Sequence, residues 1–290
     1  MTLPDHNKIS ITAKLVAYYR SFSDIPFARD VARLIGAEQA FNRLAADSGI
    51  AKEHILEFAP IFEVRYKSIV RLIQNSGMRQ ILELASGFSL RGLAMAQNTG
   101  YSYVESDLDD LTSEKTQLIS ELGIEYPPEH GGSHYFAAAN ALDLDQLRAA
   151  VWPLDKRQPL IVINEGLIQY FSVAERQALA QNVRQLFREF AGGVWITPDF
   201  TLKSDIEGVS DHRQRLRQAI TGMTDRKMYE AAFDAQEQMD AFFAESGFTA
   251  TLYYQLDQTP NLVSTRNVAR WPKMMPRLRE RLKIWELRPR

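Results

Sequence analysis

The chain has 290 residues, 45% hydrophobic and 24% charged, with a formal net charge of -2 and no cysteine. These values are ordinary for a folded protein and exclude a largely disordered or fibrous chain. There is no basic excess of the kind that draws proteins to nucleic acid, and the missing thiols exclude disulfide scaffolds, thiolate metal sites and cysteine nucleophiles.

The opening MTLPDHNKIS has no basic segment leading into an apolar one. No stretch approaches the roughly 18 uncharged apolar residues of a membrane span, so a cytoplasmic protein is expected. From about residue 10 to 77, apolar positions recur at helical spacing in AKLVAYYRSF, FARDVARLIG and IFEVRYKSIVRLIQ, broken at Pro26, the DSGI turn and Pro60. This predicts a helical cap over residues 1–77. From residue 79 the texture changes: QILELA, YVESDL, HYFAAANAL, LIVINEG and GVWITPDF read as strands, separated by amphipathic stretches that read as helices. Such alternation predicts a parallel sheet with helices on both faces, because parallel neighbours need a crossover. After Asp199 a polar, helix-prone insertion over about 201–245 reads as a lid. FTATLYYQLD and the terminal KIWELRP then supply two more strands, the last slotted late into the sheet. The chain thus divides into 1–77 and an α/β unit over 78–290.

Ligands of open parallel sheets settle outside the carboxyl ends of the strands, near the point where strand order reverses. The first such turn is ASGF, whose small residues Ala85, Ser86 and Gly87 let backbone approach a ligand before a helix N-terminus. About twenty residues on, Asp107 ends the second strand, where an acid can bond the two hydroxyls of an adenosine ribose. The rival reading of Asp107 is a helix N-cap. Asp143 and Glu165 end later strands; Asp143 also suits a turn, whereas Glu165 follows LIVIN and is costly to bury without a cationic partner. A rim this acidic would repel the pyrophosphate of a nicotinamide dinucleotide and suits a cationic ligand such as S-adenosylmethionine. ASGFSLRG is also not the G-x-G-x-x-G of a dinucleotide site.

ILELASGFSLRGLA, YVESDLDDLTSEK, ALDLDQL and INEGLIQYFS, in this order, resemble the leucine carboxyl methyltransferase family, including its bacterial branch of polyketide-type O-methyltransferases. The most specific pieces are Glu105-x-Asp107 with Lys115, and Glu165-Gly166-Leu167-x-x-Tyr170. The resemblance implies a Rossmann-like class I methyltransferase: a mainly parallel seven-stranded sheet with an N-terminal helical extension and an insertion after the fifth strand. It implies S-adenosylmethionine as cofactor and an oxygen of a small molecule or protein carboxylate as acceptor, with neither nucleic acid nor membrane as partner. Residue by residue, it implies Lys14 and Arg65 at the cofactor's carboxylate, Ala85 and Gly87 at the glycine-rich turn and Asp107 at the ribose. Asp143 and Leu144 then fall at the adenine and Glu165 near the methionine tail. The family's G-x-G-x-D-T-R reads here as Ala85 to Arg91, keeping only the second glycine and the arginine, and its aspartate before the first proline is Ile25.

Without the resemblance, Lys14 and Arg65 read as surface charges of amphipathic helices, and Tyr18, Tyr19, Tyr170 and Phe171 as core or substrate wall. The five histidines, His6, His54, His130, His134 and His212, are scattered, and HGGSH would not hold His130 and His134 on one helical face, so no metal site is assigned. Ser86 lacks the companions of a catalytic triad. The competing functions are a nicotinamide-dependent oxidoreductase and a non-catalytic binding module on the same sheet.

Overall fold

The five apolar runs spaced between amphipathic stretches form the parallel part of one sheet in the computed structural model, which describes residues 6–123, 132–206, 215, 218–219, 230 and 232–290. Five helices precede it: α1 (His6–Arg20), α2 (Ala28–Leu34), α3 (Ala37–Ser48), α4 (Lys52–Leu56) and α5 (Ala59–Ser76). Then come β1 (Gln80–Leu84), α6 (Arg91–Thr99), β2 (Ser102–Asp107), α7 (Asp109–Glu121), β3 (Ser133–Ala138), α8 (Leu144–Ala150), β4 (Leu160–Asn164), α9 (Val173–Glu189) and β5 (Gly193–Thr197). The chain continues with α10 (Lys203–Ile206), α11 (Gln236–Glu245), β6 (Phe248–Tyr254), α12 (Gln255–Gln258), α13 (Trp271–Arg281) and β7 (Lys283–Pro289).

The sheet order is β3-β2-β1-β4-β5-β7-β6. Strands β1 to β5 are parallel, and β7, the last strand in the chain, enters antiparallel between β5 and β6. Every residue of β1 and β4 is buried, as expected of central strands covered on both faces. Alternate side chains go to opposite faces. Leu82, Leu84, Val162 and Trp195 pack with Leu179, Val183 and Leu186 of α9 on one side. On the other, Ile81, Ile161, Ile163 and Val194 pack with Ile69, Leu72 and Ile73 of α5. Complete burial of such side chains contributes about 1.5–3 kcal/mol each.

Local signals set the element ends. Ser172 and Glu175 form a reciprocal capping box at the start of α9, and α5 stops at Gly77, whose φ of 71° is left-handed. Strand β5 ends before Pro198, which has no N–H to donate. β3 is shorter than its apolar run suggests: it stops at Ala138, because the Asn140 side chain accepts from Leu142 N at 3.0 Å and turns the chain.

The helices before β1 join through an aromatic cluster in which Tyr19 stacks on Phe62 at 5.0 Å and Tyr18 lies 4.3 Å from Phe41. No helix among the described residues is long and apolar enough to cross a membrane. Nearly half of the stretch expected to form a lid, 201–245, lies outside the described residues, as do His130 and His212.

Candidate active site

A cavity of about 680 Å³ opens at the carboxyl ends of β1, β2, β4 and β5, beneath α1 and α5. Its floor includes the turn after β1. Ala85 and Gly87 adopt φ of 51° and 54°, and Ser86 N donates to Ser106 O at 3.0 Å, tying the turn to β2. A left-handed alanine is uncommon and mildly strained, so the fold holds this turn against a local preference. Asp107 binds it from the side: its Oδ2 accepts from Gly87 N at 2.7 Å and its Oδ1 from Leu108 N at 2.8 Å. Burial raises the Asp107 carboxyl above its ordinary value, and these two N–H groups only partly offset it.

At the other side of the cavity stands Glu165, just beyond β4. Its Oε1 accepts from Arg20 at 2.6 Å and its Oε2 from Arg91 at 2.6 Å. Burial alone would raise this carboxyl, but Arg20, Arg91 and Arg65 outweigh it and hold Glu165 below the ordinary glutamate range. Arg91 also donates to Glu83, whose second oxygen accepts from the Tyr103 hydroxyl at 2.6 Å. The guanidinium of Arg91 lies 4.5 Å from the centre of the Tyr66 ring, and that of Arg20 lies 5.3 Å from it. Burial pushes the Tyr66 phenol up to about 12.

Beneath the turn lies a second buried group. Lys115 of α7 pairs with Glu105 and donates to Ser86 Oγ at 2.9 Å. Glu105 also accepts from Gly92 N at 2.6 Å, and His134 Nε2 stands 3.4 Å from it. Burial opposes its ionisation, yet Lys115 and His134 hold the Glu105 carboxyl down at about 2. Lys115 therefore braces the turn from below.

Five of the eight residues singled out from the sequence line the cavity: Arg65, Ala85, Gly87, Asp107 and Glu165. Three do not. Along α1 the cavity meets Thr12, Ala13, Leu15, Val16, Ala17, Tyr19 and Arg20, a broad face of the helix that leaves out Lys14 and Tyr18. The sequence reading had passed over Arg20, which no motif marked. Asp143 is engaged as the N-cap of α8, accepting from Asp145 N and Gln146 N, and Leu144 packs against the core. The wall there is made by Ala139 to Leu142 instead.

The acidic rim also needs correction. Glu165 bonds two buried cations, Asp143 caps α8, and Glu105, paired with Lys115, does not reach the cavity. The acids were legible in the sequence, but their partners were not. Tyr19, Tyr170 and Phe171 do line the cavity, while Tyr18 belongs to the aromatic cluster of the helices.

A seven-stranded sheet in this order, with its late strand reversed and a cavity over the carboxyl ends of its parallel strands, is the architecture of class I methyltransferases. The profile of the leucine carboxyl methyltransferase family matches residues 26–184, more than half of the sequence, and the chain belongs to that family. It is an S-adenosylmethionine-dependent methyltransferase. Among solved structures, it is similar to a DUF574 family protein from Streptomyces avermitilis, with 13% identity, 96% of each chain covered and a TM-score of 0.60. It is also similar to a candidate methyltransferase from Thermobifida fusca, with 14% identity, 95% of this chain and 94% of that one covered, and a TM-score of 0.53. At such identities these likenesses speak to the fold. No curated protein matches the sequence.

Proposed function

We propose that the cavity holds S-adenosylmethionine between Asp107 and the Arg20–Glu165–Arg65 group, and that the enzyme transfers the methyl group to an oxygen of its acceptor. The observation that carries this reading is the pairing of chemistries at the two sides. A zwitterionic amino-acid end calls for a carboxylate beside guanidinium groups, as Glu165 stands beside Arg20 and Arg65. Arg20 adds a specific indication: its buried Nε has no hydrogen-bond partner, and its residue lines the cavity. A buried N–H without an acceptor is costly, and a ligand carboxylate would supply one. At the other side Asp107 is bonded by two backbone N–H groups, and an ionised carboxylate has lone-pair sites left for a ribose diol.

The cofactor supplies a methyl group on a positively charged sulfur, so the chain itself has no covalent work to do. Its residues hold the two reactants in line and exclude water. Among the described residues no histidine lines the cavity, and the Tyr19 and Tyr66 phenols are pushed up by burial, which removes them as bases near neutral pH. The lining carboxylates Glu175 and Asp205 are engaged in a capping box and by Lys283, which supports a carboxylate acceptor, since it needs no base, whereas an alcohol or phenol requires one within about 3 Å of its proton.

Two measurements test the reading. S-adenosylhomocysteine should bind the purified protein in calorimetry, and Asp107→Ala and Arg20→Met should each weaken it about tenfold or more, the scale of one charge-assisted hydrogen bond. Unchanged affinity in both variants would remove the assignment. For the acceptor, label transferred from methyl-labelled cofactor to carboxylic acids and peptides should be released by mild alkali, as methyl esters are. Alkali-stable label would point to an ether and a hydroxyl acceptor.

A further inference from the structure

Asp199 lies two residues beyond β5, with its side chain fully buried, in a piece of sequence that reads only as the end of a strand. Its carboxylate gathers donors from three consecutive backbone positions of another loop. Oδ1 accepts from Gly166 N at 2.9 Å, and Oδ2 accepts from Leu167 N at 2.8 Å and Ile168 N at 3.2 Å. Oδ2 also accepts from Asn164 Nδ2 at 2.7 Å, and Asn164 Oδ1 is itself fixed by Trp195 Nε1 at 2.7 Å. On its outer side Oδ1 faces the Arg65 guanidinium at 3.8 Å.

These contacts bracket Glu165, since Asn164 precedes it and Gly166 to Ile168 follow it. Gly166 has φ of 79°, so the chain turns sharply at this point and the direction of the Glu165 side chain depends on what pins the turn. Only an ionised carboxylate can do this: an amide has one accepting oxygen, and an apolar side chain would leave three backbone N–H groups buried without acceptors. The same carboxylate meets Arg65, which belongs to α5 and is separated from Glu165 by a hundred positions of sequence. One buried charge thus ties the turn beyond β4 to the helix above it.

We infer that Asp199 is a positioning residue for methyl transfer: it sets Glu165 and Arg65 in register with each other without itself touching the cofactor. This rests on the cofactor reading above. A positioning residue affects ligand affinity beyond its effect on stability, and it acts through the groups it positions. Gln80 provides the contrast. It is buried and bonds Asp155 N and O at 2.6 and 2.9 Å, at the amino ends of the strands and away from the cavity.

The experiment is calorimetric titration of S-adenosylhomocysteine into the wild type, Asp199→Asn, Arg65→Met, the double variant and Gln80→Ala, with thermal unfolding of each ligand-free protein. Asp199→Asn should weaken binding about tenfold, the scale of one or two lost charge-assisted bonds. The double variant should lose less than the product of the two single losses, because both act on one arrangement. Gln80→Ala should lower the unfolding temperature with affinity unchanged. If Asp199→Asn does not fold, Asn164→Ala takes its place, since it removes one donor and leaves the carboxylate; a loss of about threefold is then expected. Wild-type affinity in the folded Asp199→Asn or Asn164→Ala protein, or fully multiplicative losses in the double variant, would overturn the inference alone. Failure of the wild type to bind would overturn the cofactor reading and this inference with it.

Discussion

Glu165 is the residue on which the site turns. Two guanidinium groups bond its two oxygens, one from α1 and one from α6. Removing its charge leaves Arg20 buried without its carboxylate, while Arg91 keeps Glu83; taking away one partner of a buried pair costs about 3–5 kcal/mol. Glu165→Gln should therefore lower the thermal midpoint markedly in scanning calorimetry as well as weaken cofactor binding. Ala85 gives a milder case. At φ of 51° its Cβ is strained; Ala85→Gly would relieve that strain but loosen the unfolded chain, so its net effect should stay within about 1 kcal/mol. Ala85→Val adds branching at a left-handed position and should destabilise by more, read as a lower denaturant midpoint.

At the scale of elements, the buried Lys115–Glu105 pair joins α7 to β2 and reaches α6 through Gly92 N and β3 through His134. Glu105 has its carboxyl held at about 2 in the folded chain against an ordinary 4.5. A depressed carboxyl contributes stability that is complete above about pH 4.5 and is lost as the pH falls toward 2. Urea unfolding of the wild type should show this loss across that window. Lys115→Met should be less stable near neutrality and flatter between pH 4.5 and 2, because the charge that holds Glu105 down is gone. Glu83 has its carboxyl raised by burial despite Arg91 and Lys115, so its contribution has the opposite sign. The elements themselves were largely legible: KIWELRP coincides with β7, and α9 falls between the two strand-like runs LIVINEG and GVWITPDF. β3 and β5 were read too long because Asn140 and Pro198 sit inside otherwise strand-like runs.

For the molecule as a whole, the contacts that matter cross the greatest distances in sequence. Arg20 and Glu165 are 145 positions apart, and Glu63 of α5 accepts from Val263 N at 2.9 Å and Ser264 N at 2.8 Å, some 200 positions on. The first joins α1 to the turn beyond β4 at the cavity wall, and the second joins α5 to the loop before α13. A ligand that binds only the folded chain stabilises it by about 2.7 kcal/mol at a hundred times its dissociation constant. For a chain of this size that corresponds to a rise of roughly 4–5 °C in unfolding temperature with S-adenosylhomocysteine. Arg20→Met, compared at the same ligand concentration, should show a clearly smaller rise.

The sequence by itself determined what short-range periodicity and chain punctuation encode: the helices before β1, the alternation of strand and helix, the turn at Ala85 to Gly87, and an acid at the end of β2. Its motifs also carried the family. What only the tertiary structure decided was which charges meet. Lys14 and Arg20 are equally basic on paper, and the packing of α1 selects the second by presenting Ala13, Val16, Ala17 and Arg20 to the cavity. The acids at the strand ends looked like an open rim until the fold supplied Arg91, Arg20 and Lys115 from other elements. The reason is physical: periodicity is a property of neighbours along the chain, whereas a buried ion pair forms only where the folded backbone brings opposite charges within a few ångströms and away from water.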